Sequence, residues 1–328
     1  MKYDLTQARK CIETLDKRRF DRALLGSGDA FRHIVSLVPL LLHLNHPALP
    51  GYVEDAPAGI ADFILSNYQQ GFLSKEHPEL AASVQSAVNS DAVFAPILGI
   101  YVMGSFGSIS QTSASDLDIW ICHQDDLSEQ DQQRLAEKTK KISLWASTFH
   151  VEMHFYLMTQ KRFRNERYSD PLTKENSGSA QYMLLLEEFY RSAVRLSGKP
   201  LLWLHLWVED EKQYEAEVAR LVAEGELNPN DWVDFGGLGQ FSASEYFGAS
   251  LWQLYKGIDS PYKSVMKILL LETYAQEYPN AHLIARQFKE DLLSGRSTAA
   301  HHFDPYIAIL ERISQYLTAH SEFKRLDF

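Results

Sequence analysis

The chain has 328 residues, and at roughly 150 residues per domain this length predicts about two domains. Hydrophobic residues make up 45% and charged residues 23% of it, which is typical of a folded globular protein and excludes a disordered or collagen-like chain. The 43 Asp and Glu outnumber the 32 Lys and Arg, and the formal net charge of -11 argues against an extended nucleic-acid-binding surface. Two cysteines without a CxxC pair indicate neither a disulfide framework nor a zinc site.

The sequence predicts no membrane span. Its most hydrophobic stretches, residues 35–44 and 93–103, are shorter than the roughly 18 residues that a transmembrane helix needs. The N-terminal residues mix both charge signs and lack the apolar run of a signal peptide. Because the two cysteines need no oxidising compartment, we expect a cytoplasmic protein.

Predicted helices occupy both ends of the chain. Apolar residues at three- and four-residue spacing predict a first helix over residues 1–22. Two further helices are expected in the N-terminal part, over residues 30–43 and 79–89. The C-terminal part is predicted to be helical over residues 180–196, 211–224, 242–256, 261–278, 282–293 and 305–320.

The middle of the chain has the pattern of strands. Residues 97–103 form an apolar, β-branched run typical of a buried strand, and residues 116–123 alternate as a half-buried strand does. A third strand is predicted over residues 150–158, after a helix over residues 127–149. This order predicts a small mixed sheet with a helix packed on it, in a protein of the α+β class.

Two carboxylates in the second predicted strand are placed to bind a cation. Residues two apart in a strand project from the same face, so Asp116 and Asp118 are expected to point the same way. Adjacent carboxylates repel each other unless a cation lies between them, and their oxygens suit a hard ion such as Mg²⁺. Gly104 and Ser105 follow the first strand, where a glycine permits close backbone approach and a hydroxyl beside free N–H groups suits a phosphate.

Glu152, in the third predicted strand, can complete an acidic cluster if that strand pairs beside the second. Three carboxylates can hold two metal ions for an in-line displacement at phosphorus. Taken alone, a DxD pair is most often a pair of solvated surface acids, and Gly-Ser after a strand is most often a turn. Their combination in this order favours a catalytic metal site.

The same order, a strand ending in Gly-Ser and then DxD and a strand acid, resembles the polymerase-β-like nucleotidyltransferase fold. Four segments also resemble the catalytic domain of class I adenylate cyclases of the enterobacterial type: GSFGSISQTSASDLDIWICH, ETLDKRRFDRAL, HHFDP and EYFGASLWQLYKGIDSPYKSVMKILLLE. The resemblance extends from about Ile12 to Asp327. Phe106 and Gly107 stand where the family often has small hydroxyl residues, so the resemblance supports the Gly104-Ser105 start of the loop but not further hydroxyl contacts.

The resemblance implies a nucleotidyltransferase catalytic core over residues 93–175. An N-terminal helical segment, residues 1–92, would pack on this core, and a C-terminal helical region, residues 176–328, would complete an ATP site. The implied reaction converts ATP to 3′,5′-cyclic AMP and pyrophosphate. Two Mg²⁺ ions, for which Mn²⁺ can substitute, would be held by the following carboxylates: Asp116, Asp118 and Glu152. The implied nucleotide-binding residues are Gly104, Ser105, Ser115, Lys256, Lys263 and Lys267.

The lysines are expected to meet the β- and γ-phosphates of ATP. Lys263 and Lys267 share one helix face, and Lys263 lies in a first turn, where free N–H groups add positive potential. Without the resemblance, all three lysines are typical of a solvated surface. Four weaker candidates for the pocket are Ser179, Gln181, Arg191 and Arg195.

The family typically continues into a long C-terminal regulatory region linked to sugar-transport phosphorelay proteins. The resemblance therefore predicts a longer parent protein, of which these residues form the catalytic part. Two alternatives to an adenylate cyclase stay open. One is a different nucleotidyltransferase, which would transfer AMP to a protein, an antibiotic or an RNA end. The other is a non-catalytic nucleotide sensor that keeps the fold.

Overall fold

The computed structural model describes residues 5–88, 95–113, 115–165, 182–294 and 304–320. The helices that precede the sheet are α1 (Leu5–Leu25), α2 (Asp29–His43), α3 (Asn67–Glu76) and α4 (Pro78–Val88). The helices that follow its first two strands are α5 (Glu129–Ser147), α6 (Gln160–Asn165), α7 (Tyr182–Ser192), α8 (Leu202–His205), α9 (Tyr214–Ala223), α10 (Ala243–Lys256), α11 (Pro261–Gln276), α12 (Ile284–Ser294) and α13 (Pro305–Ala319). In these described ranges, no helix has the length and apolar character needed to cross a membrane.

A four-stranded mixed sheet lies at the centre of the fold. Its strands are β1 (Ile97–Met103), β2 (Leu117–His123), β3 (Met153–Met158) and β4 (Val194–Gly198), in the order β3-β2-β1-β4. β1 is antiparallel to both β2 and β4, whereas β2 and β3 are parallel. A parallel pair needs a crossover connection, and α5 provides it. The prediction of an α+β protein built on a small mixed sheet is confirmed.

The two faces of the sheet pack into different cores. On β2, Leu117, Ile119 and Ile121 belong to a core that includes the apolar face of α2. Trp120 projects from the other face and stacks on Phe189 of α7, with ring centroids 4.1 Å apart. One face of the sheet therefore meets α2 and α5, while the other meets the C-terminal region together with Ile12 of α1.

Two predicted elements need correction. The helix expected over residues 180–196 ends at Ser192, and the next residues form β4, in which Val194 pairs with Val102 of β1. The pairing of β4 with β1 gives the backbone of β1 hydrogen-bond partners on this edge, which a continued helix would not provide. The third strand begins at Met153, so Glu152 lies just before it. The regional boundaries near residues 92 and 175 stay predictions.

The loop after β1 is attached to α1. The buried Arg19 guanidinium donates to the Phe106 carbonyl at 2.8 Å and to the Ala193 carbonyl at 3.4 Å. Phe106 is buried against Phe20, with ring centroids 6.0 Å apart. Gly107 has φ +64, and a Cβ at this position would lie 2.3 Å from the Arg19 carbonyl oxygen. The Phe106-Gly107 departure from the family pattern thus serves packing and close backbone approach.

A buried ionic cluster joins α7 to α11. Lys267 Nζ lies 2.7 Å from Glu188 Oε1. Arg191 lies 3.9 Å from Glu188 and 3.5 Å from Glu187, and all four side chains are at least three-quarters buried. Burial alone would lower the pKa of Lys267, but the neighbouring Glu188 carboxylate raises it, so the ammonium form is retained. Glu188 therefore anchors one cation from each of the two helices.

We expect Gly107→Ala to lower the free energy of unfolding by about 2 kcal/mol, because an alanine is strained at positive φ and its methyl group meets the Arg19 backbone. Urea denaturation would measure this change. Gly71→Ala is a suitable control, since Gly71 lies within α3 and a Cβ there meets no atom within 4 Å. This control should raise stability by up to about 1 kcal/mol. Equal effects of the two substitutions would contradict the assignment.

Glu188→Gln should lower the free energy of unfolding by about 3 kcal/mol, because it removes the carboxylate that pairs with Lys267 and leaves Arg191 with Glu187 alone. Glu224→Gln provides the comparison, since Glu224 pairs with Arg220 at the surface, and its loss should cost much less. Chemical denaturation of both variants tests the difference. If Glu188→Gln matched the surface variant, the cluster would not anchor α11.

Candidate active site

A cavity of about 680 Å³ lies between the sheet and the C-terminal helices. Its wall includes side chains or backbone from β1, β2, β3, α7, α10 and α11. All nine residues predicted for the site line this one cavity: Gly104, Ser105, Ser115, Asp116, Asp118, Glu152, Lys256, Lys263 and Lys267. Residues as far apart in the chain as Gly104 and Lys267 therefore line the same cavity.

The carboxylate pair lies where the cavity meets β2. Asp118 pairs with Met103 of β1 on one side and with His154 of β3 on the other. Asp116 is two residues earlier and faces the same cavity. Burial, and then the charge of Asp116, raise the pKa of Asp118 to about 6. Negative charge is thus concentrated at a place where a cation would relieve the repulsion.

The hydroxyl of Tyr156 donates to Asp118 Oδ1 at 3.2 Å. This bond favours the charged form of the carboxylate, in opposition to burial. Because Tyr156 lies two residues after His154 on β3, this edge strand supplies a hydrogen bond to the neighbouring strand β2. Tyr156 therefore helps to fix the orientation of Asp118.

Glu152 lies at the mouth of the cavity, just before β3, with 73% of its side chain exposed. Its backbone carbonyl accepts a hydrogen bond from the Leu117 amide at 3.0 Å, and its Oε1 lies 3.2 Å from His154 Nε2. Within the described part of the chain, no three Asp, Glu, His or Cys side chains are grouped closely enough to hold a metal ion. The oxygen donors of Asp116 and Asp118 fit a divalent cation, whereas Glu152 as a third ligand stays a prediction.

The turn after β1 leaves open space for a ligand. Gly104 has φ +82, and a Cβ built on it would meet nothing within 4 Å. The Gly104 N–H donates to Ser192 Oγ at 3.1 Å, so it is not one of the free N–H groups that were expected beside Ser105. The Ser115 hydroxyl accepts from the Thr112 amide at 3.0 Å, so it supports the loop from within.

The lysines approach the cavity from the ends of two consecutive helices. Lys256 is the last residue of α10, and its Nζ lies 5.3 Å from the Trp252 ring centroid. Lys263 lies in the first turn of α11. Neither of these lysines forms an ion pair with a carboxylate among the described residues. Lys267 differs because Glu188 already neutralises it.

The weaker candidates do not join this site. Arg191 is held in the buried cluster with Glu188, and Arg195 donates to the Gly198 carbonyl at 2.9 Å and pairs with Glu13 at 3.2 Å. Neither is among the residues that line the cavity, so the structure does not bring Arg191 and Arg195 to this site. Ser179 and Gln181 lie outside the described residues.

Several cavity residues escaped prediction. His154 and Tyr156 alternate with apolar neighbours at two and four residues after Glu152, so the strand pattern contained a signal for them. Glu188 and Tyr306 also line the cavity. They reach it from α7 and α13, and sequence spacing gives no signal for contacts made over such distances along the chain.

Two family models match the chain, and curated relatives match it throughout. The model described as adenylate cyclase NT domain matches residues 4–204, and the one described as adenylate cyclase, class-I, second domain matches residues 241–328. The protein named adenylate cyclase of Haemophilus influenzae is 68% identical, and the alignment covers 100% of this chain and 40% of that protein. Those of Pasteurella multocida and Escherichia coli K12 are 62% and 45% identical, over 100% and 96% of this chain and 39% and 37% of the relatives.

The chain thus spans about 40% of the length of such relatives. A solved spectinomycin adenyltransferase from Enterococcus faecialis, with ATP and spectinomycin, is a distant structural match. It has 14% identity and a TM-score of 0.33, over 76% of this chain and 94% of that one. No residue role follows from a match at this distance. Since the NT-domain model alone covers more than half of the residues, the chain belongs to the class-I adenylate cyclase family.

Proposed function

We propose that this chain binds ATP and converts it to 3′,5′-cyclic AMP and pyrophosphate. The observation that carries the proposal is a single cavity with a carboxylate pair, Asp116 and Asp118, on one wall and two lysines on another, Lys256 and Lys263, which pair with no carboxylate among the described residues. This distribution of charge suits a nucleoside triphosphate bound with a divalent cation. The relatives named adenylate cyclase support cyclisation over transfer to a separate acceptor.

Asp116 and Asp118 would hold Mg²⁺, or Mn²⁺ in its place, and Glu152 would help to hold a second ion. The bound cation would neutralise phosphate charge and make the ribose 3′-hydroxyl more acidic. The raised pKa of Asp118 supports this assignment, because a cation between the carboxylates would stabilise the charged form of both.

Lys256 and Lys263 would bind the β- and γ-phosphates, which become the pyrophosphate leaving group. The N-terminal turn of α11, in which Lys263 lies, adds positive potential from its free N–H groups. The open space before Gly104 allows the triphosphate to approach the turn after β1. The polyphosphate would therefore lie between the carboxylate wall and the lysine wall.

The chemical step needs no protein nucleophile, because the attacking hydroxyl belongs to the substrate. The ribose 3′-oxygen attacks the α-phosphorus, a new O–P bond forms, and the bond from the α-phosphorus to the β-phosphate oxygen breaks. Glu152, exposed at the cavity mouth, would accept the proton of the 3′-hydroxyl. Catalysis then consists of positioning and charge stabilisation.

Two further expectations are untested, one from the resemblance and one from the cysteines and the N-terminal residues. Control by sugar-transport phosphorelay proteins, through a further C-terminal region, stays a prediction. A cytoplasmic location is likewise a prediction.

We expect Asp118→Asn to reduce cyclic AMP formation by at least about 1,000-fold, because it removes a negative ligand and the charge that positions the cation. Cyclic AMP would be measured by chromatography from the protein, ATP and Mg²⁺ alone. The exposed Asp126 offers a matched control, and Asp126→Asn should retain wild-type activity. Activity that survives in Asp118→Asn would refute the site. A wild-type protein that passes labelled AMP to an acceptor without forming cyclic AMP would refute cyclisation.

Lys263→Gln and Lys256→Gln should each raise KM for ATP by about 10-fold or more, since each removes a cation from the proposed phosphate site. Steady-state kinetics would measure the change. Lys140→Gln, which removes an exposed lysine of α5, is the control and should leave KM unchanged. If the two cavity variants behaved like Lys140→Gln, the triphosphate would bind elsewhere.

A further inference from the structure

The outer face of α10 and the start of α11 carries an apolar stripe. The stripe consists of Phe247, Leu251, Leu254, Ile258, Tyr262 and Val265, whose residues are 52–87% exposed. On α10 the spacing of four and three places Phe247, Leu251 and Leu254 along one side. Ile258 lies in the turn that follows, and Tyr262 and Val265 are three residues apart at the start of α11. Single exposed apolar residues are ordinary, but a continuous row of them on one face indicates a surface that meets another apolar surface.

The stripe is distinct from the proposed ATP site, although the same helices build both. Trp252, Lys256 and Lys263 project to the cavity, whereas Leu251, Leu254 and Tyr262 do not line it. Residues 246–255 contain no charged side chain. The exposed side of α10 is therefore apolar over these residues. The charged residue that α10 contributes to the cavity is Lys256, the last residue of the helix.

The size and composition of the stripe favour a second copy of this chain as its partner. The six side chains together expose on the order of 800 Å², comparable to what each subunit buries in a stable interface. In a two-fold dimer the same patch meets itself, and an uncharged patch brings no like charges together. A membrane surface is less suited, because helices that bind lipid usually carry Lys and Arg beside the apolar face, and this chain has a net charge of -11.

We propose that two copies of this chain associate through the apolar stripe, in an isologous contact of the α10–α11 hairpins. Each hairpin would then have the cavity of its own chain on one side and the partner chain on the other. The proposal is independent of the reaction assigned above, because it concerns association rather than turnover.

Sedimentation velocity from about 1 to about 100 µM protein tests the proposal. The wild-type chain should show a monomer–dimer equilibrium in this range. Leu251→Glu and Tyr262→Ser, one from each helix, should each raise the dimer Kd by at least about 10-fold. The control is Ile64→Glu, since Ile64 is 83% exposed outside the stripe, and it should dimerise like the wild type. Circular dichroism would establish that all four proteins are folded.

A wild-type chain that stays monomeric throughout this range overturns the proposal. So does a dimer that Leu251→Glu and Tyr262→Ser leave unchanged, since its interface would lie elsewhere. A monomer that binds neutral phosphatidylcholine vesicles also overturns it, in favour of lipid as the partner. None of these outcomes depends on cyclic AMP formation, so failure here leaves the proposed reaction to its own test.

Discussion

The alternation of side chains along β2 between two cores is the constraint on which the site depends. Leu117 and Ile119 are buried against the N-terminal helices, so Asp116 and Asp118 must face the opposite side. A shift of one residue would bury the carboxylates in the apolar core and expose the leucine and isoleucine. Pairing on both sides, with β1 and β3, holds this register. The position of the acidic pair is therefore specified by the burial of its apolar neighbours.

The carboxylates repel each other, and the fold places compensating charge across the cavity. Burial and the charge of Asp116 raise the pKa of Asp118, so the ionised form of this carboxylate is destabilised in the folded chain. Of the two lysines proposed for the phosphates, Lys263 lies on α11, and the Glu188–Lys267 pair joins that helix to α7. Lys267 pairs with Glu188 while it lines the cavity, so its role as a phosphate ligand stays a prediction. Lys256 and Lys263 are the lysines proposed for the phosphates.

Local patterns in the sequence predicted much of this arrangement, and long-range contacts account for what they missed. The Ser242–Glu245 capping box begins α10 as expected, because all its partners lie within one turn. The separation of β4 from α7 was not predictable, since Val194 becomes a strand residue only by pairing with β1, about 90 residues away in the chain. The role of Lys267 depends on Glu188 in the same way. Gly107 has a backbone neighbour in α1 that no spacing reveals.

The two faces of α10 and α11 connect the proposed association with the proposed chemistry. Helices that expose apolar surface on one side and hold ligand-binding cations on the other lose conformational freedom when the apolar side is covered. Lys256 ends α10 and Lys263 lies in the first turn of α11, so both depend on the geometry of the short turn between the helices. Ile258 lies within that turn and belongs to the stripe. A partner on the stripe would therefore contact the segment that sets the spacing of the two lysines, and any coupling between the two sites would be reciprocal.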